Sequence, residues 1–193
     1  SEDEYITISD GSENYGAIPA GETVTMTDGF AFSVANNVPD GHAALFQLSS
    51  TDGTEVWNSS FTILLNAPQF TIGMMTLTDP TGNGNGRLDP GETVDLHIAT
   101  SNTGHCDALG TLGSIVSPSP YITINSASYD FGTLAAGQSG SATFNITASE
   151  AAPVGSAAEF NYAVVAGEYN VQKQFITKIG LVLEDFESGG FTQ

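Results

Sequence analysis

The residues best suited to chemistry lie in one short run, Asp79-Pro80-Thr81-Gly82-Asn83-Gly84-Asn85-Gly86-Arg87-Leu88-Asp89-Pro90-Gly91-Glu92. A calcium loop spaces oxygen side chains two apart, turns sharply at a glycine, uses one backbone carbonyl and ends on an acidic residue at its twelfth position. Counted from Thr81, Asn83 and Asn85 take positions 3 and 5, Gly86 position 6, Asp89 position 9 and Glu92 position 12, with Leu88 at the apolar position 8. Arg87 supplies the carbonyl at position 7, and Asp79 stands two residues ahead of the first position. Asp79, Asn83, Asn85, Arg87, Asp89 and Glu92 are therefore candidate ligands for Ca2+, a hard cation that takes oxygen donors. A plainer reading stands beside this one. Asn-Gly pairs form ordinary turns, and Gly91-Glu92-Thr93-Val94 recurs as Gly21-Glu22-Thr23-Val24 with no such loop ahead of it, which makes Glu92 the opening of a strand. EF-hand helices are not expected, because strands flank the loop.

Other reactive groups are scattered. His105-Cys106-Asp107 places a thiol beside an imidazole, but neighbours in sequence rarely face each other, and a thiol nucleophile needs its base across from it in space. The run follows Ser101-Asn102-Thr103-Gly104, which reads as a turn, so a solvated loop is expected. His97 falls on the polar side of an alternating strand, and His42 sits in a Pro-Asp-Gly-His turn. The three histidines share no zinc-ligand spacing. Acidic residues are plentiful, and a solvated surface is expected of them rather than a glycosidase pair. Trp57 and Tyr169 read as packing residues rather than a sugar platform. Asn58-Ser59-Ser60 and Asn145-Ile146-Thr147 match the glycosylation acceptor pattern.

Charge narrows the partners. Only Arg87, Lys173 and Lys178 are basic, against 22 acidic residues, for a net charge of −19. Such a surface repels phosphate backbones and anionic membranes, which argues against nucleic-acid binding. No apolar run approaches the length of a membrane-spanning helix, so no membrane insertion is expected. Cys106 is the sole cysteine, so no intramolecular disulfide forms. Hydrophobic residues make up 40% of the chain, enough for packed cores.

The elements that would position these groups follow from an internal repeat. Tyr5-Ile6-Thr7-Ile8 returns as Tyr121-Ile122-Thr123-Ile124, and Tyr15-Gly16 as Phe131-Gly132. Pro19-Ala20-Gly21-Glu22 returns as Ala135-Ala136-Gly137-Gln138, Phe32-Ser33-Val34 as Phe144-Asn145-Ile146, and Pro39-Asp40-Gly41 as Pro153-Val154-Gly155. Phe46, Gly53 and Phe61 answer to Phe160, Gly167 and Phe175. Within each copy apolar residues alternate with polar ones, as in Phe32 and Val34 about Ser33, or Val94, Leu96 and Ile98 about Asp95 and His97. Period-two runs broken by Gly, Pro, Asn and Asp predict an all-β chain of tandem immunoglobulin-like antiparallel β-sandwich modules. Residues 71–120 have no counterpart ahead of Tyr5, which predicts a truncated first module over 1–70 and a complete one over 71–181. Residues 182–193 read as the truncated start of a following domain. An incomplete first sandwich is expected to show an open apolar face or a dimer contact.

The run from Asn83 to Val94, followed by Asn102-Thr103-Gly104, resembles the opening of immunoglobulin-like modules in large secreted bacterial proteins, among them gingipain-related cysteine peptidases and surface adhesins. Glu184-Asp185-Phe186-Glu187-Ser188-Gly189-Gly190 resembles the start of the jelly-roll adhesin domain of the same proteins. The resemblance implies an extracellular or cell-surface location and a non-catalytic adhesion or spacer role. Partners would be neighbouring domains of the same parent chain and a host protein or glycan. It carries over no catalytic residue, since the peptidase His and Cys belong to a separate α/β domain. Two alternatives stay open: a non-catalytic C-terminal region of a gingipain-like cysteine peptidase, and a carbohydrate-binding β-sandwich.

Overall fold

The computed structural model describes residues 1–180. Twelve strands and no helix are found among the described residues, so the protein is all-β and immunoglobulin-like. The chain divides into two compact units. The first comprises Ser1–Gln69 with Gly104–Cys106, and the second Phe70–Thr103 with the chain from Asp107 onward. The expected start of a further domain at 182–193 lies outside the described residues.

The second unit is a two-sheet sandwich. Its strands are β5 (Phe70–Thr78), β6 (Thr93–Asn102), β7 (Ala108–Val116), β8 (Ile122–Ile124), β9 (Ser128–Leu134), β10 (Ser139–Ala148), β11 (Ala157–Ala166) and β12 (Tyr169–Lys178). One sheet runs β5-β6-β10-β8 and the other β12-β11-β7-β9, with every neighbour antiparallel. The short β8 crosses to the edge of the first sheet before β9 returns to the second. Alternation dictates which side chains face inward. On β6 these are Val94, Leu96 and Ile98; on β10, Ala142, Phe144 and Ile146; on β11, Ala158, Phe160, Tyr162 and Val164, all fully buried. Each large side chain of this set contributes about 1.5–3 kcal/mol on burial.

One polar pair sits inside that core. The Tyr162 hydroxyl meets Thr100 Oγ1 at 2.8 Å, joining β11 to β6 across the sandwich. Burial pushes the Tyr162 phenol above its ordinary value of 10.0, and the Thr100 bond opposes that rise. The Phe144 and Tyr162 rings meet edge to face at 5.7 Å. A side chain at Gly113 would collide with the Tyr162 hydroxyl, 2.9 Å from where its Cβ would stand, so glycine is required there.

The first unit holds β1 (Ile6–Asp10), β2 (Ala31–Val34), β3 (His42–Thr51) and β4 (Val56–Leu65). β1 pairs with β2 and β3 with β4, as two separate two-stranded sheets. These are the repeats of β8, β10, β11 and β12. Phe46 stands opposite Phe61 on β3–β4, and Phe160 opposite Phe175 on β11–β12. The turns recur as well. Gly41 and Gly155 both adopt positive φ, at 73° and 84°. Their N–H groups donate to Leu65 O and Ile179 O. Glu22 N donates to Pro19 O at 3.0 Å, and Gln138 N to Ala135 O at 3.0 Å.

The structure corrects the repeat in one place. Ile6 pairs with Val34 and Ile8 with Phe32, whereas Ile122 pairs with Ala148 and Ile124 with Ile146. Val34 therefore corresponds to Ala148, Phe32 to Ile146 and Phe30 to Phe144. The sequence alignment had slipped by two residues, which preserves the face and so leaves the alternation unchanged. The first unit thus carries half of each sheet, without counterparts of β5, β6, β7 and β9.

Removing one partner of the buried Tyr162–Thr100 bond strands the other in the core. Thr100→Val is expected to destabilise the second unit by about 1–3 kcal/mol, read as a lower urea midpoint in far-ultraviolet circular dichroism. An unchanged midpoint would show that the bond is not needed.

Candidate functional site

The loop between β5 and β6 closes on itself through side chains. Asp79, buried at the end of β5, accepts from Gly84 N at 2.9 and 3.0 Å and from Asn85 N at 3.2 Å. Asn83 Oδ1 accepts from Asn85 N at 3.0 Å, and Asn85 Oδ1 from Arg87 N at 2.8 Å. Both amide nitrogens then reach one oxygen: Asn83 Nδ2 donates to Asp89 Oδ2 at 2.7 Å and Asn85 Nδ2 at 2.8 Å. The Asn85 and Asn83 amides hold the Asp89 carboxyl below its ordinary value of 3.8. Glu92 folds back over the loop, accepting from Asn83 N at 3.2 Å and Asp89 N at 3.1 Å. A Cβ on Gly82 would collide with the Glu92 carboxylate, so a larger residue there would displace that carboxylate from the loop.

The loop is anchored from below. Leu88 is buried in the core of the second unit and bridges to Ile179. Leu88 O accepts from Gly180 N at 2.8 Å, and Gly91 N donates to Ala148 O at 3.1 Å. The apolar residue at position 8 therefore plugs the end of the sandwich, and the polar residues on either side of it form the rim.

The structure brings together the candidate side chains of Asn83, Asn85 and Asp89 at one point, with Glu92 bonded to the same loop. Asp79 serves the loop backbone, and no bond involving the Arg87 carbonyl bears on the site. The donor types suit a hard cation, since every side chain involved offers oxygen. In this arrangement, however, each bonded carboxylate oxygen faces N–H groups. Among the described residues no three His, Cys, Asp or Glu side chains stand together so as to hold a metal. Binding Ca2+ at this point requires the two asparagine amides to turn their oxygens toward the place their nitrogens now occupy.

The other reactive residues are dispersed. His105 Nδ1 lies 2.7 Å from Asp40 Oδ2, within the first unit, and not on Cys106. Asp40 Oδ1 accepts from Ala67 N at 2.9 Å and His105 N at 3.1 Å. The Ala67 amide first, and His105 after it, hold the Asp40 carboxyl below its ordinary value of 3.8. This bonding explains why Gly104–Cys106 groups with the first unit, although the sequence placed it in the module over 71–181. β6 also runs on through Asn102, whose amide donates to Leu134 O at 3.0 Å, so the turn starts later than its composition suggested. His97 bridges Thr78 and Thr143, at 2.9 Å on each ring nitrogen, across the outer face of β5-β6-β10. His42 Nε2 lies 2.7 Å from Asp3 Oδ2 and packs edge-on against Tyr5. None of these pairings left a local signal, because each joins residues 19 to 65 apart. At the sequons, Asn145 donates to Asp95 and accepts from Asn125 within its sheet, whereas Asn58 is exposed on β4.

No family model matches the chain, and no curated protein matches it. The class is thus defined by the fold: an all-β, immunoglobulin-like sandwich protein with a side-chain-closed loop at the head of its second unit.

Two measurements check these assignments. Leu88→Ala is expected to cost about 2–5 kcal/mol by emptying the core beneath the loop, seen as an earlier unfolding transition of the second unit. Asp40 has a lowered carboxyl, so the stability it lends is present above its ordinary value and lost as pH falls through the lowered one. Trp57, the single tryptophan, lies on β4 and reports on the first unit. Its fluorescence should show the first unit losing stability on acidification, with a shallower dependence in Asp40→Asn. An equally steep dependence in the variant would remove Asp40 from the account.

Proposed function

We propose that this chain is a non-catalytic immunoglobulin-like adhesion and spacer region of a secreted or cell-surface bacterial protein, with Ca2+ stiffening the loop from Asp79 to Glu92. The observation that carries this reading is the repetition of one strand-and-turn plan in two consecutive units, the construction by which β modules are strung out to separate other domains. The strong negative charge supports an exposed location and an affinity for divalent cations. The His and acidic side chains described above are engaged in holding turns and strands, which supports a mechanical role. The same role would serve in the C-terminal region of a gingipain-like cysteine peptidase, where the chemistry belongs to another domain.

The calcium assignment rests on the meeting of Asn83, Asn85 and Asp89 at one point. Extracellular modules bind calcium with dissociation constants of about 10⁻⁴–10⁻³ M. Ions that bind only the folded state raise its stability by linkage, about 2.7 kcal/mol at a hundredfold excess over the dissociation constant. Thermal unfolding in millimolar Ca2+ is expected to show a higher midpoint for the second unit than unfolding in chelator, and Asp89→Ala is expected to erase the difference. Equal midpoints in both buffers would remove calcium from the proposal.

A carbohydrate-binding reading draws on one observation, the exposure of Trp57 and Phe61 on the same side of β4. Binding to a panel of glycans that Trp57→Ala abolishes would favour it over the spacer role. Peptide hydrolysis lost on Cys106→Ala would overturn the non-catalytic reading altogether.

A further inference from the structure

The first unit leaves uncovered the positions that the second unit buries. Phe30 is 47% exposed, and its counterpart Phe144 0%. Phe32 is 40% exposed against 0% for Ile146, and Val34 38% against 0% for Ala148. Leu48 on β3 is 39% exposed, and its counterpart Tyr162 0%. In the second unit those residues are covered from two directions. β6 pairs along β10, placing Val94 opposite Ile146 and Leu96 opposite Phe144. β7 pairs along β11, placing Ile115 opposite Tyr162. In the first unit β2 pairs only with β1 and β3 only with β4, so both corresponding edges are unpaired.

The turn that follows β7 recurs at the head of the first unit. The Ser1 hydroxyl donates to Leu45 O at 2.8 Å and accepts from Asp3 N at 3.2 Å. Its counterpart Ser117, the residue directly after β7, donates to Glu159 O at 2.6 Å and accepts from Ser119 N at 3.3 Å. Ile6 N donates to Asp3 O as Ile122 N donates to Ser119 O. Ser1 therefore makes the same bonds as Ser117, the residue that follows β7 in the second unit. An open groove lined by Gln47, Leu48 and Ser49 of β3 and by Asn58, Ser59 and Ser60 of β4 lies over this hairpin. The residues equivalent to Gln47, Leu48 and Ser49 are Asn161, Tyr162 and Ala163, three of the five β11 residues that pair with β7.

We infer that the first unit is a strand acceptor, completed by a three-stranded segment built like Phe70–Val116. Its second strand would pair antiparallel with β2, setting apolar residues opposite Phe30 and Phe32, and its third would pair antiparallel with β3 opposite Leu48. A charged or purely polar strand does not fit, because the exposed row is apolar on the face that must become the core.

The test joins a copy of Phe70–Val116 directly to Ser1 of the full chain and follows amide hydrogen exchange by mass spectrometry. The expected result is exchange slowed by at least about tenfold in Ala31–Val34 and Gln47–Thr51 relative to the unextended chain, since paired strands open far less often than free edges. Binding of a dye specific for exposed apolar surface should fall in parallel. Protection of β6 and β10 in the same molecule reports that the second unit remains folded. Leu48→Asp in the extended protein should restore fast exchange in Gln47–Thr51 and leave β6 and β10 protected. Unchanged exchange of β2 and β3 in the extended protein overturns the proposal. So does concentration-dependent protection of those strands in the unextended chain together with a dimer in sedimentation, which would assign the face to a second copy.

Discussion

A sandwich of two sheets works only if every inward side chain finds a counterpart from the opposite sheet, and Tyr162 shows how strict that demand is here. Its ring packs edge-on against Phe144, and its hydroxyl, carried into the core, must be bonded there or lose the hydration it left behind. Thr100 on the opposite sheet supplies the partner. Gly113 on the neighbouring strand leaves space for the oxygen. Three strands are thus held in register at one point by volume and hydrogen bonding together. The alternating apolar residues of β6, β10 and β11 then close the core around it.

The loop ahead of β6 depends on that core. Leu88 enters it from above, so the polar residues on either side are held at the rim and turned toward one another. Hydrogen bonds between Asp89 and two asparagines, and between Glu92 and two backbone amides, close the ring. The same oxygen-rich chemistry that makes a rigid turn also suits a hard cation. What distinguishes the two is the direction in which two amides point, a rotation that changes neither shape nor composition.

Covering governs the first unit as well. Half of each sheet retains its strand pairing, its hairpins and its glycine turns, because those are local. The face whose equivalent in the second unit is buried under β6 and β7 remains apolar and exposed here. The aromatic row of Phe32, Phe46 and Phe61 packs within itself, with Phe46 and Phe61 stacked at 5.3 Å, and this gives the exposed face partial shelter.

Much of this architecture was legible in the residues alone. Period-two alternation marks strands because side chains alternate across a pleated backbone, and recurring Gly and Pro positions mark turns because few other residues adopt those conformations. The all-β class and the correspondence of Phe46 with Phe160 and of Phe61 with Phe175 follow from those local rules, whereas the pairing of Phe46 with Phe61 came from the structure. Alternation has a blind spot: a shift of two residues leaves it unchanged, so only strand pairing decided that Phe32 answers to Ile146 rather than Phe144. The composition of the loop was likewise visible, but not that Asn83 and Asn85 converge on Asp89 or that Leu88 anchors the turn. Nor could spacing reveal that His105 turns to Asp40 rather than Cys106, or that His97 spans Thr78 and Thr143. Those partners are remote in sequence, and only the folding of the sheets brings them within hydrogen-bond distance.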